Sequence, residues 1–322
     1  SCGVGNFFGM LPEEMQNSRL YGVELDSISG RIAQQLYPKA DITVAGFETT
    51  GRRDFYDLAI GNVPFGQYQV RDKAYDNLIL TNPPYVVNGS GDMKALATAT
   101  GLYKCGGLGL EALFMEWIVK SLAEDGTALI VIPDGILSNL ANKKLREYIL
   151  DRCTIEGIIS LPINTFFGTP KKTYILAIKK KYTDDLGNTQ KQVAPVFTYI
   201  CNSIGETLDV YRFDTEENHL EEAVNQYNLF KSTPDRSKFK AISYDEEGKP
   251  YIDKKCKLID IQKFYDAVDT SWIIDNFWSD EEKIELGFKK EVNIMTIPEL
   301  QIFIDNIIEA MEEYRGDLEC LI

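Results

Sequence analysis

The chain has 322 residues, a formal net charge of −15, 44% hydrophobic residues and 26% charged residues. This is the composition of a globular protein with room for one large domain or two smaller ones. It shows neither an apolar run near the ~20 residues of a membrane span nor a signal-peptide pattern.

The first half alternates strand and helix patterns. Leu20 to Leu25 reads as a short strand, Ser27 to Tyr37 as a helix stopped by Pro38, and Asp41 to Ala45 as the next strand. Leu78-Ile79-Leu80 reads as a buried strand, broken by Asn82-Pro83-Pro84-Tyr85. Val86 to Gly109 is rich in Gly, Ala and Thr and is expected to be a mobile loop. Gly109 to Glu124 spaces Leu110, Leu113, Phe114, Trp117 and Ile118 as a helix core face. Thr127 to Ile132 is a buried strand ended by Pro133-Asp134-Gly135, and Leu140 to Leu150 is helical. Ile155 to Leu161 and Thr173 to Ile178 are strands flanking a Phe-Phe segment. Val196 to Cys201 reads as a strand and Glu216 to Lys231 as a helix. Lys231 to Lys257 is polar and expected to be irregular, and Ile297 to Ile322 has helical spacing. The pattern predicts an α/β fold with a doubly wound sheet.

Cysteine and histidine usage narrows the chemistry. Six cysteines without CxxC pairs or regular spacing predict reduced thiols in a cytoplasmic protein. The one histidine, His219, lies in the acidic stretch Asp214 to Glu222 and is expected on a solvated helix face. His-based nucleophilic chemistry and a metal site are therefore not expected. Acidic residues gather in the second half. Basic runs stand at Lys143-Lys144-Arg146, Lys171-Lys172 and Lys179-Lys180-Lys181, each read first as a solvated face. That balance predicts weak DNA binding by the chain alone.

Two motifs carry the chemistry. Asn82-Pro83-Pro84-Tyr85 offers an amide, carbonyls without competing N–H groups, and an aromatic ring. The amide oxygen and a Pro carbonyl can accept both protons of an exocyclic amino group, leaving its nitrogen able to attack a methyl group. Upstream, Gly3-Val4-Gly5 forms a turn, with Glu24 about 20 residues further on at the end of the next strand. That order suits a ribose-bearing cofactor lying over the turn.

These stretches, with Leu161-Pro162-Ile163-Asn164-Thr165-Phe166-Phe167-Gly168-Thr169-Pro170-Lys171-Lys172-Thr173, resemble adenine-N6 DNA methyltransferases. The likeness is greatest to the modification subunits of type I restriction-modification systems. The resemblance implies a Rossmann-like S-adenosylmethionine-dependent methyltransferase sheet. It places catalysis at Asn82, Pro83, Pro84 and Tyr85. Cofactor contacts fall at Gly3 and Gly5, at Glu24 for the ribose, and at Phe47 for the adenine ring. Contact with the target base falls at Phe166 and Phe167. DNA is the implied substrate, with a specificity subunit or target-recognition domain, and a restriction subunit, as partners.

The family has a strand immediately before the Gly-rich turn, so the resemblance implies an N-terminally truncated sheet that binds cofactor weakly. Residues 1–240 are expected to form the catalytic domain and residues 241–322 a mostly helical C-terminal extension. The family often has an acidic residue where Gly46 stands, for which Glu48 is a weak substitute. There is also an internal echo: Tyr56 to Phe65 ends in Asn62-Val63-Pro64-Phe65 and parallels Tyr75 to Tyr85. The stretch from Ser1 to about Tyr75 resembles helicase–methyltransferase fusions of mobile elements. Asn82 is preferred over Asn62 because the later segments continue the type I pattern from it. Methylation of a protein glutamine and a non-catalytic DNA-complex scaffold are the alternative functions. A nicotinamide-binding oxidoreductase tolerates the glycines but finds no acid–base set here.

Overall fold

The computed structural model describes residues 1–47, 52–65, 105, 110–166, 168–245, 247–290 and 297–320. After the turn at Gly3 to Gly5 comes one helical turn, α1 (Asn6–Gly9), and then β1 (Tyr21–Glu24). Asp26 caps α2 (Ser27–Leu36), its carboxylate accepting from the Ser29 N–H at 2.7 Å. That bond satisfies one of the unpaired donors of a helix start. β2 (Asp41–Val44) returns parallel to β1. Gly30 allows α2 to lie close on β2, because a Cβ there would stand 2.8 Å from a Val44 methyl.

β3 (Tyr56–Asn62) starts a larger sheet, and α3 (Leu110–Ser121) leads directly into β4 (Leu122–Pro133). α4 (Asp134–Ser138) and α5 (Lys143–Arg152) precede β5 (Cys153–Ser160), and β6 (Thr173–Lys180) folds back antiparallel to it. β7 (Val196–Ile200) is followed by α6 (His219–Ser232). A hairpin of β8 (Ile242–Tyr244) and β9 (Pro250–Ile252), then β10 (Cys256–Ile259) and α7 (Ile261–Asp266), come next. Among the described residues the order in the larger sheet is β10-β7-β5-β6-β4-β3. β3, β4, β5 and β7 share one direction, and β6 and β10 oppose it. Helices leave the parallel strands apolar on both faces, and Ile130, Ile132, Ile158, Leu176 and Phe197 are almost fully buried. Burial of such side chains is worth roughly 1.5–3 kcal/mol each.

Three expectations are corrected. Lys231 to Lys257 is not irregular throughout: it contains β8, β9 and the start of β10. The turn of the hairpin is set by Gly248 at φ 76 and by the Asp245 carboxylate, which accepts from the Glu247 and Lys249 N–H groups. Such local side-chain bonds make a turn from polar residues. With β10 joined to the sheet, the first compact unit runs from Ser1 to Phe277. The second unit, Trp278 to Ile322, holds α8 (Asp280–Glu285), started by a Ser279–Glu282 capping box, and the long α9 (Ile297–Cys320).

His219 is buried, not solvated, at 6% exposure. Its Nδ1 accepts from the Asn202 N–H at 3.4 Å, and its Nε2 faces Glu217 at 3.1 Å. The basic runs are largely internal ties. Arg146 is fully buried and donates to the carbonyls of Val268, Ile136 and Asn139. Lys180 reaches Asp54 and the Leu122 carbonyl, Lys179 pairs with Asp125, and Lys181 donates to the Leu150 carbonyl. Lys172 pairs with Asp275 at 3.4 Å.

Burial, with the Lys255 ammonium nearby, lowers the His219 pKa below its usual 6.5. A histidine kept neutral by the fold stabilises above its unfolded pKa, and that stability is lost as pH falls through the folded value. Thermal unfolding from pH 8 to 5 is therefore expected to show a loss below about pH 6.5. His219→Asn keeps an acceptor for the Asn202 N–H and should flatten that part of the profile. An unchanged slope would remove His219 as its source.

Candidate functional site

The carboxyl ends of β1, β3 and β4 define the edge where parallel α/β sheets bind ligands. At β1 the Gly-rich turn and Glu24 meet. Gly3 has φ +55 and Gly5 φ +89, in the left-handed region that favours glycine. A Cβ on Gly5 would stand 2.6 Å from the Tyr37 ring, whereas one on Gly3 would meet no atom within 4 Å. Gly5 therefore serves packing, and Gly3 leaves open room at the turn. The Gly3 N–H donates to Glu24 Oε2 at 2.7 Å, and the Asp26 N–H donates to Glu24 Oε1 at 3.0 Å. Glu24 is buried. Two backbone donors fix its carboxylate, and each oxygen keeps a lone pair for a further donor.

Phe47 lies in an aromatic cluster. Its ring centroid is 3.9 Å from that of Phe114 and 5.6 Å from that of Trp117, and it is buried. Glu48 lies outside the described residues.

β3 delivers the second half of the edge. It pairs in parallel with β4, Asn62 opposite Val131, and the Val63 N–H donates to the Val131 carbonyl at 3.3 Å. Asn62-Val63-Pro64-Phe65 thus leaves the sheet at its carboxyl edge. The Asn62 Oδ1 is buried without a hydrogen-bond partner among the described residues. Such an acceptor costs on the order of 1–3 kcal/mol unless something donates to it. Ser1 Oγ donates to the Asn62 carbonyl at 3.2 Å and joins the Gly-rich turn to this loop.

The connection from β5 to β6 brings Phe166 to the same edge, 6.4 Å from Phe65 in a T-shaped pair. Asp275 steadies that connection. It accepts from Ser160 Oγ at 3.0 Å and from the Tyr174 hydroxyl at 3.0 Å, clamping the end of β5 to the start of β6. Burial and the Asp275 charge push the Tyr174 hydroxyl pKa well up, so it remains a donor. The sequence pattern missed Asp275, since more than a hundred residues separate it from both partners and no periodicity marks it. The Ser1 bond sets the Gly-rich turn with Gly3, Gly5 and Glu24 beside the Asn62 loop, and Phe166 lies against Phe65 of that loop. Asn82, Pro83, Pro84, Tyr85 and Phe167 lie outside the described residues. So does the Val86 to Gly109 stretch apart from Cys105, whose N–H donates to a Glu116 carboxylate oxygen at 3.0 Å.

A glycine turn with an anchored acidic residue at the end of one parallel strand pair, beside an Asn-x-Pro-aromatic loop at the end of another, is the arrangement expected of a methyltransferase. The N-6 DNA Methylase family profile matches residues 11–263, and the chain belongs to that family. It is 26% identical over 181 residues to the Type II methyltransferase M.CvrRI of Paramecium bursaria Chlorella virus XZ-6E, covering 56% of this chain and 41% of that protein. It is 25% identical over 206 residues to the Type I restriction enzyme MpnII methylase subunit of Mycoplasma pneumoniae, covering 60% and 36%. The chain thus spans well under half the length of these relatives. The solved type I restriction-modification methyltransferase subunit of Streptococcus thermophilus shares the fold, with a TM-score of 0.53 and 17% identity over 84% of this chain and 52% of that one.

The two glycines should respond differently to substitution. Gly3→Ala is expected to cost about 1–2 kcal/mol, the left-handed penalty alone. Gly5→Ala adds the clash with Tyr37 and should cost more in urea unfolding. Equal costs would show that Tyr37 moves freely aside.

Proposed function

We propose that this chain carries the transfer of a methyl group from S-adenosylmethionine to the N6 amino group of adenine in DNA, within a restriction-modification system. The observation that carries the reading is the buried amide oxygen of Asn62, without a hydrogen-bond partner among the described residues, in the loop that Ser1 ties to the Gly-rich turn. An acceptor of that kind calls for an N–H donor, and the adenine amino group supplies one. Family membership supports the reaction class.

The residues present suit the cofactor at its ribose end. The room beside Gly3 accommodates a close ligand, and the spare lone pairs of Glu24 suit two ribose hydroxyls. Gly3 and Gly5 would lie along the methionine part, and Phe47 would offer a ring edge to the adenine. When bound, the cofactor supplies an electrophilic methyl group on a sulfonium. Asn62 accepts one amino proton, and a carbonyl of the following loop accepts the other. Both bonds would raise the electron density on N6, which would take the methyl as the methyl–sulfur bond breaks to leave a neutral thioether, and the surplus N6 proton would pass to solvent. Phe65 and Phe166 would stack against a base turned out of the duplex, since its amino group is out of reach within the stack.

Asn82-Pro83-Pro84-Tyr85 remains a second reading of the base loop, supported by the fuller motif and by the type I pattern that follows it. The role of Phe167 stands beside that of Phe166 on the same sequence grounds. The net charge of −15 and the internal use of the basic runs support a partner that grips phosphate and reads sequence. A specificity subunit or target-recognition domain fits that need, with a restriction subunit as a further partner. Free thiols, and the absence among the described residues of a helix long and apolar enough to cross a membrane, support a cytoplasmic setting.

Labelled methyl transfer to an adenine-containing single-stranded oligonucleotide tests the reading without requiring base flipping. Nucleoside mass spectrometry should find N6-methyladenine. Label on protein glutamine alone would sink the DNA reading. Asn62→Ala is expected to lower transfer by ~10²-fold or more, as for loss of one preorganised polar contact. Full activity in Asn62→Ala with a dead Asn82→Ala would move the role to the later loop. Separately, Glu24→Gln should weaken S-adenosylmethionine binding in calorimetry, and unchanged affinity would take Glu24 out of the cofactor site.

A further inference from the structure

The connection from β7 to α6 contains a tight hairpin that keeps its aromatic residues outside. Glu206 and Asp214 pair across it. The Thr207 N–H donates to the Phe213 carbonyl at 2.8 Å, and the Thr215 N–H to the Gly205 carbonyl at 2.9 Å. Asp209 closes the tip: its Oδ1 accepts from the Tyr211 N–H at 2.8 Å and from Thr207 Oγ1 at 3.1 Å. The Phe213 N–H donates to Thr207 Oγ1 at 3.0 Å. These bonds fix the backbone before anything binds, which lowers the ordering cost of a contact. Yet Tyr211 is 73% exposed, and Val210 and Phe213 are each 64% exposed. The Tyr211 and Phe213 rings stack, with centroids 5.8 Å apart and planes 17° from parallel. The rings pack on each other and leave most of their surface in water, as aromatic contact sites do.

The hairpin is tied to the candidate site. Arg212, between the two aromatic residues, is turned inward. Its Nη2 donates to the Asn164 carbonyl at 2.6 Å, and its Nη1 lies 3.4 Å from Glu206. Asn164 stands two residues before Phe166 in the β5–β6 connection.

Charge selects the occupant. Between Gly205 and Glu217 there are five carboxylates, Glu206, Asp209, Asp214, Glu216 and Glu217, and one cation, Arg212. That cation is already held by Glu206 and the Asn164 carbonyl. Asp209, Asp214, Glu216 and Glu217 are exposed. A phosphate backbone meets repulsion here. A guanidinium is attracted twice, by the ring faces and by the carboxylates.

We propose that the Tyr211–Phe213 hairpin is a docking site for arginine side chains of a protein partner, whose guanidinium groups stack on the rings and pair with Asp214 and Glu216. The proposal rests on the reading above in one respect, that a partner which grips phosphate is basic. Docking here would set that basic surface beside the connection carrying Phe166.

Fluorescence anisotropy of a labelled eight-residue Arg-Ser repeat peptide, titrated with the 322-residue chain, tests it. The chain should bind this peptide at least ~3-fold more tightly than the matching Lys-Ser peptide, because an ammonium lacks the planar stacking face. Tyr211→Ala/Phe213→Ala should weaken binding by at least ~10-fold, as loss of an aromatic anchor does. Asp214→Asn/Glu216→Gln, which leaves the rings in place, should weaken it by at least ~3-fold. Glu13→Gln/Glu14→Gln removes two exposed carboxylates elsewhere and should leave it unchanged. Undiminished binding by the aromatic double variant would overturn the proposal. Equal weakening by the Glu13/Glu14 variant would reduce the binding to diffuse charge attraction and overturn it too. So would photo-cross-linking of a 5-iodouracil single-stranded oligonucleotide to Tyr211 or Phe213 that the Arg-Ser peptide does not block, which would assign the rings to a nucleobase. The titration holds neither cofactor nor DNA, so its outcome is separate from that of the methyl-transfer test.

Discussion

The candidate site depends on the parallel pairing of β3 with β4. Parallel register leaves both strands ending at the same edge, and it sets Asn62 opposite Val131. A shift of one residue would turn every side chain of β3 to the other face. Asn62 would then leave the edge it shares with the Gly-rich turn. The Val63 amide bond to Val131 and the Ser1 bond to the Asn62 carbonyl hold the end of that register. Lys180 fixes the start, where Asp54 and the Leu122 carbonyl converge on its ammonium.

Much of the fold was legible because β5, β6 and β7 are buried almost throughout and several helices carry clear stops. β1, α2, β2, α3, α5, β5, β6, β7 and α9 lie close to where periodicity and breakers place them. The misses share a physical cause. β8, β9 and β10 are short, and their residues are mostly polar or half-exposed, so neither alternation nor an apolar run marks them. His219 and Arg146 look solvated in sequence because charged neighbours surround them. Their burial comes from contacts made far along the chain, and only three-dimensional packing shows it.

The site was legible in part. The glycines and Glu24 carry a spacing signal, and the Gly3 N–H donates to the Glu24 carboxylate. The Asn-x-Pro-aromatic signal occurs twice, and sequence alone ranks the fuller copy first. Strand pairing is non-local information, and it sets the earlier copy against β4. Asp275 shows the remaining gap. It touches three residues of the β5–β6 region without any motif of its own.

The internal use of the basic runs has a consequence for salt. Binding to a nucleic acid gains from releasing the counterions condensed on its phosphates, and each phosphate neutralised steepens the dependence on ionic strength. Lysines and arginines already held by carbonyls and carboxylates of their own fold release few such ions. Arg146 cannot turn outward without giving up its bonds to three carbonyls. In an assembly on DNA, the salt dependence would then belong mostly to other surfaces. The chemistry of this edge could pass from one recognition surface to another, with neither its affinity nor its ionic-strength response inherited from this chain.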